Sequence, residues 1–402
     1  MVGEPWRQPL DETWAGLDRE APGSRVWSGA LTVTGDAGRL PSRLPVEDVA
    51  LACAGAALLA AAALQAGRGG PVPQALQLDR GHVAAAFRSE AWLRIRGKPA
   101  GAGFAPLSRF WRAADGWVRT HGNYPWHRDA LLSALGCGDD REAVAAAIAS
   151  RGAREVEDLV VGAGGVAAAV RTSAAWGAEP TGQAVTASPL VAGGMLGKRS
   201  ALLDFGTPDG FARLHELLSL ADVLVHGYRP HALDRFGLAP QTLAERHPGL
   251  VVVSLSAWGS RGPWGGRRGF DSIVQAACGI AVAESPDGER PGALPCQLLD
   301  HGTGYLCAAA ALRALATQAA RGGTLFRELS LARTGHWLLS QPRGEPADAA
   351  ASAEGDPGAW LTTVGSAEGP VTVVKPLGRL DGVELAWPSP LTRYGGDPPA
   401  WR

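Results

Sequence analysis

Two apolar segments decide the fold that this sequence predicts: Ala221-Asp222-Val223-Leu224-Val225-His226 and Leu250-Val251-Val252-Val253-Ser254-Leu255. Short, nearly continuous apolar runs of this kind are typical of parallel strands that are covered on both faces. One helical pattern, at 209–220, precedes them and two more, at 231–236 and 241–247, lie between them, and a further strand is predicted at 201–204. The alternation of strands and helices predicts a doubly wound α/β sheet, with ligands at the loops 226–230 and 256–271 that follow the strands.

The length of 402 residues allows two or three domains, and 46% hydrophobic with 19% charged residues excludes wholesale disorder. Outward from the central strands, the pattern predicts four regions. They are an irregular, Gly-rich lead-in over 1–40, a helical and small α+β region over 41–190, a Rossmann-like domain over 196–340, and a C-terminal tail over 341–402. Within the second region, Phe110–Thr120 is predicted to form a hairpin around Asp115-Gly116.

The charge balance bears on the class of partner. A formal net charge of −1 argues against a dedicated nucleic-acid or acidic-membrane binder, which would carry a basic excess. Only three of the 38 basic residues are lysines, namely Lys98, Lys198 and Lys375. This bias indicates a GC-rich genome, so that a single Arg carries little information by itself.

The cysteines and the termini bear on location. Five cysteines with irregular spacing and no CxxC pair predict neither a disulfide framework nor a zinc site. The first seven residues contain Glu4 and Pro5 and do not resemble a signal peptide, so a cytoplasmic location is expected. The longest uncharged run, Val49–Leu64, is mostly Ala and too short to span a bilayer, which predicts a buried helix and no membrane association.

An internal repeat is also predicted. Asp48 precedes an Ala-rich helix, a Gly-rich turn and an alternating strand, and Asp300 precedes the same series. Arg68 and Arg321 are separated by 253 residues, as are Arg80 and Arg333, and Asp48 and Asp300 by 252. The pattern therefore predicts a duplicated unit.

Two segments are candidates for chemistry. Gly162-Ala163-Gly164-Gly165 is similar to a dinucleotide-binding loop, but it follows a helical pattern and lacks an acidic partner, which favours a plain turn. Asp300, in Gln297–Tyr305, lies directly before the predicted helix Tyr305–Ala320. A carboxylate there is stabilised by free backbone N–H groups, either as a structural N-cap or as a nucleophile beside Gly302 and Gly304, whose N–H groups could stabilise an oxyanion.

The order of motifs over residues 196–335 resembles the class III coenzyme A transferases, the CaiB/BaiF type. The motifs that carry the resemblance are 197–200 with 203–204, 221–230, 233–238, 248–254, 259–263, 268–271, 300–304 and 322–331. In that family an Asp before the Ala-rich helix attacks an acyl-CoA to give a mixed anhydride, and the released thiolate then forms an aspartyl-CoA thioester. Asp300 holds that position.

The resemblance also implies ligands and partners. Lys198, Arg235 and Arg268 match cationic or CoA-contacting positions, Gly227 and Tyr228 match a pair that borders the nucleotide, and Asp271 matches an acidic position near the site. The expected substrates are an acyl-CoA and a small carboxylic acid, with no permanently bound cofactor and no metal. A homodimer is likewise implied.

Departures from the family leave alternatives open. The opening strand, Ala-Gly-Pro turn and helix that precede the 197–200 motif in the family are missing, and residues 110–190 resemble the family's C-terminal region instead. A non-catalytic CoA-binding or scaffolding relative is therefore the second hypothesis. An acyl-CoA racemase is the third, although Phe270 stands where racemases have a His. Asp48 is the alternative nucleophile.

Overall fold

The computed structural model describes residues 4–18, 30–100, 103–186, 200–343, 356–366, 369–387 and 395–401. In the first part of the chain the elements are α1 (Arg7–Asp18), β1 (Leu31–Thr34), α2 (Val46–Gly67), β2 (Leu76–Asp79) and α3 (Arg80–Ala86). The lead-in was predicted to be irregular, and α1 and β1 correct that prediction. Leu10, Trp14 and Leu17 are buried at helical spacing, so one apolar face outweighs the polar composition of this segment.

The middle of the chain forms a small α+β region. Its elements are α4 (Ser89–Trp92), β3 (Arg94–Ile95), β4 (Lys98–Pro99), β5 (Phe110–Arg112), β6 (Trp117–Thr120), α5 (Pro125–Leu135), α6 (Arg141–Ala149), α7 (Ala153–Gly162), β7 (Ala167–Ala169), α8 (Ser173–Ala178) and α9 (Pro180–Thr186). The predicted hairpin is confirmed, since β5 and β6 pair antiparallel and β7 adds a third strand. The Gly-rich segment is a turn that joins helix α7 to β7, with Gly164 at φ 81°, and no strand leads into it as a dinucleotide loop would require.

The second half contains the elements that position the site. They are α10 (Pro208–Ser219), β8 (Val223–His226), α11 (Pro240–Arg246), β9 (Val251–Ser256), α12 (Asp271–Cys278), α13 (Ile280–Ala283), α14 (Leu298–Arg321), β10 (Leu325–Ser330) and α15 (Leu331–Ser340). Four short strands follow: β11 (Leu361–Val364), β12 (Val371–Val374), β13 (Arg379–Leu380) and β14 (Val383–Glu384).

The strands predicted at 221–226 and 250–255 are confirmed as neighbours. β8 pairs with β9 and β9 with β10, all parallel, in a three-stranded sheet. Residues 201–204 do not form a strand, because Ala201 makes only an isolated bridge with Gly396. Val225 of β8 is 54% exposed, so within the described residues β8 is an edge strand and the fold is mixed α/β with several small sheets.

Two parallel βαβ units pack against each other through their long helices. β1, α2 and β2 form one unit, with Leu31 opposite Leu76, and β9, α14 and β10 belong to the other. Helix α2 lies along α14, and a Cβ placed on Gly302 would be 3.3 Å from Cys53 Sγ. Val46–Gly67 is long and apolar enough to cross a membrane, but most of it is buried in this core.

The structure refines the predicted repeat. Asp48 and Asp300 are each the third residue of their helices, α2 and α14. Asp79 caps α3 and Ser330 caps α15, the helices that follow β2 and β10. These two capping residues are not 253 positions apart, so the constant separation predicted from Arg80 and Arg333 does not hold here. The duplication itself stays a prediction.

Candidate active site around Asp300 and Asp271

Asp300 lies in the first turn of α14. The helix begins at Leu298 and not at Tyr305, because the fully buried pair Leu298 and Leu299 continues the buried face of the Ala-rich stretch. Asp300 is therefore a first-turn residue and not the N-cap, and its side chain is exposed to solvent. Gly302 and Gly304 lie inside the helix, so the expectation that they offer free N–H groups is wrong.

Asp271, the first residue of α12, holds the beginning of α14 in place. Its Oδ2 accepts hydrogen bonds from the backbone N–H of Leu299 (2.9 Å) and of Asp300 (3.2 Å). Its Oδ1 accepts one from Nε2 of Gln275 at 2.5 Å. Asp271 is 1% exposed, so its carboxyl group is buried and joins α12 to the beginning of α14 through hydrogen bonds.

The two carboxyl groups are electrostatically coupled. Burial raises the pKa of Asp271, and the negative charge of Asp300 raises it further. The protein packed around Asp300 raises its pKa as well, with the carboxylate of Glu90 adding to the rise and His301 opposing it. Burial and the repulsion between the two groups thus disfavour the state in which both carry a full charge, and Asp300 is the member exposed to solvent.

Glu90 and His301, the residue that follows Asp300, form a hydrogen-bonded pair. Nε2 of His301 lies 3.0 Å from Oε2 of Glu90, and Nε2 of Gln297 donates to Oε1 of Glu90 at 3.4 Å. The ring of Phe87 lies 5.8 Å from that of His301, centroid to centroid. Glu90 belongs to α4, about two hundred residues away in sequence, and no motif marked it.

Four of the predicted CoA-binding residues, Gly227, Tyr228, Arg235 and Arg268, follow β8 or β9 in the chain, while Asp271 begins α12. Gly227 and Tyr228 come directly after β8, and Tyr228 is 58% exposed. Nη1 of Arg229 donates to the backbone oxygen of Gly266 at 2.9 Å, which joins the two loops. The loops predicted to bind ligand are therefore neighbours at the carboxyl ends of parallel strands.

The predicted cations, Arg235, Arg268 and Lys198, are not brought together by the described structure. Arg235 is exposed and its guanidinium lies 4.6 Å from the ring centroid of Phe236. Nη1 of Arg268 donates to the backbone oxygen of Gly164 at 3.0 Å, which ties the loop after β9 to the Gly-rich turn. Lys198 lies outside the described residues. Neither described cation is hydrogen-bonded to Asp300.

A cluster of side chains from the small α+β region, namely Arg119, His121 and His127, was not predicted near Phe270. His121 stacks on Phe270, with ring centroids 3.9 Å apart and planes within 3°. Nδ1 of His121 lies 3.4 Å from Nδ1 of His127, and burial lowers the pKa of His121 to about 4. Burial also lowers the pKa of Arg119 to about 10, while Asp271 opposes that shift. Phe270 precedes Asp271 directly, so this cluster lies next to the carboxyl groups of Asp271 and Asp300.

The alternative nucleophile, Asp48, is more enclosed. It is partly buried at the start of α2, where burial raises its pKa and Arg80 opposes the rise. The neighbouring Glu47 is buried and pairs with Arg80 Nη1 at 2.5 Å. In the described part of the chain, no group of three or more His, Cys, Asp or Glu side chains is placed to hold a metal ion.

Comparison with known proteins shows that part of this chain is similar to one protein family. Residues 181–359 match the model of CoA-transferase family III. A "Probable fatty acyl-CoA transferase Rv3272" of Mycobacterium tuberculosis is 36% identical over 120 residues, which is 30% of each chain. The succinate–glutarate CoA-transferase of Agrobacterium fabrum is 34% identical over 94 residues, 23% of this chain and 24% of that one.

Solved structures give partial matches as well. A crystal structure of Rv3272 aligns with a TM-score of 0.34 and 30% identity, over 36% of this chain and 41% of that one. A CAIB/BAIF family protein from Brucella suis aligns with a TM-score of 0.34 and 24% identity, over 43% of this chain and 47% of that one. The chain thus spans less than a third of the length of these curated relatives, and the resemblance to class III CoA-transferases found in the sequence is confirmed for residues 181–359.

Proposed function

With residues 181–359 matching CoA-transferase family III as the premise, we propose that this chain transfers coenzyme A from an acyl-CoA to a small carboxylic acid. The observation that supports this best is the placement of Asp300. It is a solvent-accessible carboxyl group in the first turn of α14, within the matched segment, held by the buried Asp271. A nucleophilic carboxylate must be both ionised and reachable. Burial raises the pKa of Asp300 to about 6, the positive end of the α14 dipole opposes that rise, and the carboxylate therefore predominates at neutral pH.

The proposed reaction proceeds through covalent intermediates on Asp300. Its carboxylate attacks the thioester carbonyl, so that an acyl-aspartyl anhydride forms and CoA leaves as the thiolate. The thiolate then attacks the aspartyl carbonyl, which gives an aspartyl-CoA thioester and frees the first acid. The acceptor carboxylate reverses these two steps and leaves with CoA, and Asp300 returns to its starting state with no net proton consumed.

The remaining predicted residues would bind the nucleotide part of CoA. Gly227 and Tyr228 border the carboxyl end of β8, and Arg235, Arg268 and Lys198 would supply positive charge for the phosphates. We propose that β8, β9 and β10 are the second half of a doubly wound sheet. The homodimer and the cytoplasmic location expected from the sequence are proposals that light scattering and cell fractionation can test.

Mass spectrometry tests the nucleophile directly. The protein is incubated with succinyl-CoA or octanoyl-CoA, digested, and searched for an acyl or CoA adduct on the peptide that contains Asp300. Asp300→Asn should abolish the adduct, and Asp48→Asn is the matched control because Asp48 holds the same third position of α2. An adduct on Asp48 would move the reaction to the other helix, and no adduct on any Asp together with no CoA binding by calorimetry would refute the proposal.

The edge position of β8 favours the second candidate, a CoA-binding relative without catalysis. Val225 and Tyr228 are both more than half exposed there, so one side of the nucleotide-binding loop lacks a neighbouring strand within the described residues. Binding of CoA without an adduct, unchanged in Asp300→Asn, would be the result expected from that candidate.

A further inference from the structure

Arg119, on strand β6 of the small α+β region, is a buried cation without a counter-charge. The residue is 8% exposed, and its Nε is buried with no hydrogen-bond acceptor. Within the ranges that the structure describes, its guanidinium makes no salt bridge and donates no hydrogen bond. Burying a charge without a partner is costly, and a small anion is the kind of group that would offset this cost.

Two phenyl rings lie against the guanidinium of Arg119. Phe110 is its cross-strand partner on β5, with the ring centroid 5.2 Å from Cζ, and the ring of Phe104 lies 5.0 Å from the same atom. Aromatic rings interact with the flat face of a guanidinium, so its N–H edges stay available to the paired oxygens of a carboxylate. Phe104 is half exposed, so this part of the cluster borders solvent.

The two imidazoles of the cluster add a further donor. His121 comes two residues after Arg119, and its backbone N–H donates to Val166, so both side chains lie on the same side of the sheet. Nε2 of His127 is buried without a partner, and its Nδ1 lies 3.4 Å from Nδ1 of His121. Burial lowers the pKa of both imidazoles, so both are neutral at neutral pH. In a neutral pair joined through Nδ1, the accepting ring carries its proton on Nε2 and can donate it to an anion.

Contacts with α12 place the cluster beside the candidate active site. His121 stacks on Phe270 with ring centroids 3.9 Å apart, and the next residue is Asp271. The carboxylate of Asp271 already accepts hydrogen bonds from Gln275 and from two backbone N–H groups of α14, and it makes no salt bridge with Arg119. Arg119 therefore keeps its donors for another acceptor, although an acidic side chain lies nearby.

We propose that Arg119 and the His121–His127 pair form a carboxylate-binding site, which takes the non-reacting carboxylate of a dicarboxylic acid acceptor. A carboxylate whose two oxygens are both bound by a guanidinium is a poor nucleophile, so the group held here is the one that does not attack. The choice of ligand rests on the proposed function, whereas the site itself does not. These three residues precede the segment 181–359, so the site adds a role for the first half of the chain.

Isothermal titration of the whole protein with succinate and with butyrate tests the site without any turnover, since butyrate has the same chain length and one carboxylate fewer. The wild type should bind succinate at least tenfold more tightly than butyrate. Arg119→Gln should weaken succinate binding about 10- to 100-fold, so that the two acids bind alike. Arg119→Lys keeps the charge without the planar fork and should give an intermediate affinity, and His127→Phe should weaken succinate binding about threefold.

Arg112→Gln is the matched control for Arg119→Gln. Arg112 lies on the neighbouring strand β5 with its guanidinium 5.6 Å from the ring centroid of Trp117, but it is exposed, and its loss should leave succinate binding unchanged. Urea unfolding without ligand serves as the second measurement. Removal of a buried cation that has no partner should leave the unfolding midpoint of Arg119→Gln equal to that of the wild type or higher, whereas a clear fall would identify a structural role and overturn the proposal.

The remaining outcomes separate the carboxylate site from the transferase. No binding of succinate by the wild type, or equal weakening of succinate and butyrate in Arg119→Gln, would overturn the site even if the adduct on Asp300 forms. Tighter binding of inorganic phosphate than of succinate, or loss of CoA binding in Arg119→Gln, would assign Arg119 to a phosphate group and overturn the dicarboxylate. Succinate binding that depends on Arg119, without any adduct on Asp300, would keep the site and remove the proposed function.

Discussion

Glu157 offers the sharpest test of what holds the site together. This carboxylate on α7 is 2% exposed, and it accepts hydrogen bonds from Nη1 and Nη2 of Arg171 at 2.7 and 3.0 Å. It also accepts from the backbone N–H of Ala169 at 2.7 Å and from Nη1 of Arg267 at 3.1 Å. Both guanidinium groups lie within 5.0 Å of the ring centroid of Trp264. One carboxylate therefore links the small α+β region to the loop that precedes Asp271.

Glu157→Gln keeps the shape of the side chain and removes its charge. The guanidinium of Arg171, whose side chain is 4% exposed, would then lose its closest counter-charge and keep only the longer contact of its Nε with Oε1 of Glu179 at 3.5 Å. Removing one partner of a buried ion pair costs about 3–5 kcal/mol, which exceeds the net value of the individual hydrogen bonds because the remaining charge stays desolvated. We expect the free energy of unfolding to fall by about 3 kcal/mol, a factor of more than one hundred in the folded-to-unfolded ratio.

Urea unfolding followed by tryptophan fluorescence and by far-ultraviolet circular dichroism measures this loss. The control is Asp158→Asn, the next residue of α7, whose carboxylate meets the same Arg267 at 3.7 Å but is 71% exposed. An exposed pair contributes little, so this variant should stay within about 0.5 kcal/mol of the wild type. If the two variants differ by less than 1 kcal/mol, Glu157 is not the link between the two regions.

Three further predictions concern packing and pH. Gly302→Val should lower the free energy of unfolding by about 1–3 kcal/mol, because the added side chain meets Cys53 where α2 packs on α14. A loss below about 0.5 kcal/mol in urea unfolding would contradict that close approach. His121→Phe keeps the stacking on Phe270 and removes a group whose folded pKa is about 4. Wild-type stability should therefore fall as the pH decreases from about 6.5 toward 4, and the variant should lose this slope in urea titrations at pH 7 and pH 5. The folded pKa of Asp271 is raised instead, so its contribution to stability is present near pH 4 and is lost as the pH rises toward neutrality. Asp271→Asn should flatten that decline in the free energy of unfolding measured from pH 4.5 to 8, and an unchanged slope would argue against a raised pKa of this buried carboxyl group.

The sequence predicted the local elements better than their assembly. The strands 221–226 and 250–255 were recognised because unbroken β-branched runs leave few other structures open, and the structure pairs them in parallel. Ala201–Asp204 has a comparable apolar pattern but forms no strand, since strand formation depends on a neighbour and Ala201 finds only Gly396. Pairing partners are set by tertiary context, which a local pattern does not contain.

In the candidate site, too, the sequence predicted individual residues better than the contacts between distant parts of the chain. Asp300 and Asp271 were singled out by motif, and the structure joins them through the backbone N–H of Asp300. Glu90 was missed because it lies in an ordinary helical turn, and only the packing of the first half of the chain against α14 brings it to His301. His121 was missed for the same reason, as its stacking on Phe270 links segments about 150 residues apart.

These long-range contacts bear on why the two halves occur in one chain. The family model matches residues 181–359, yet the groups that set the electrostatics of Asp300 and Asp271 include Glu90 and Arg119, which lie before that segment. The buried face of α14 also packs against α2, so the second half alone would expose apolar surface and leave His301 without Glu90. The first half therefore completes both the core and the charge environment of the candidate nucleophile, and a substitution there, far from the matched segment, should change the chemistry of Asp300.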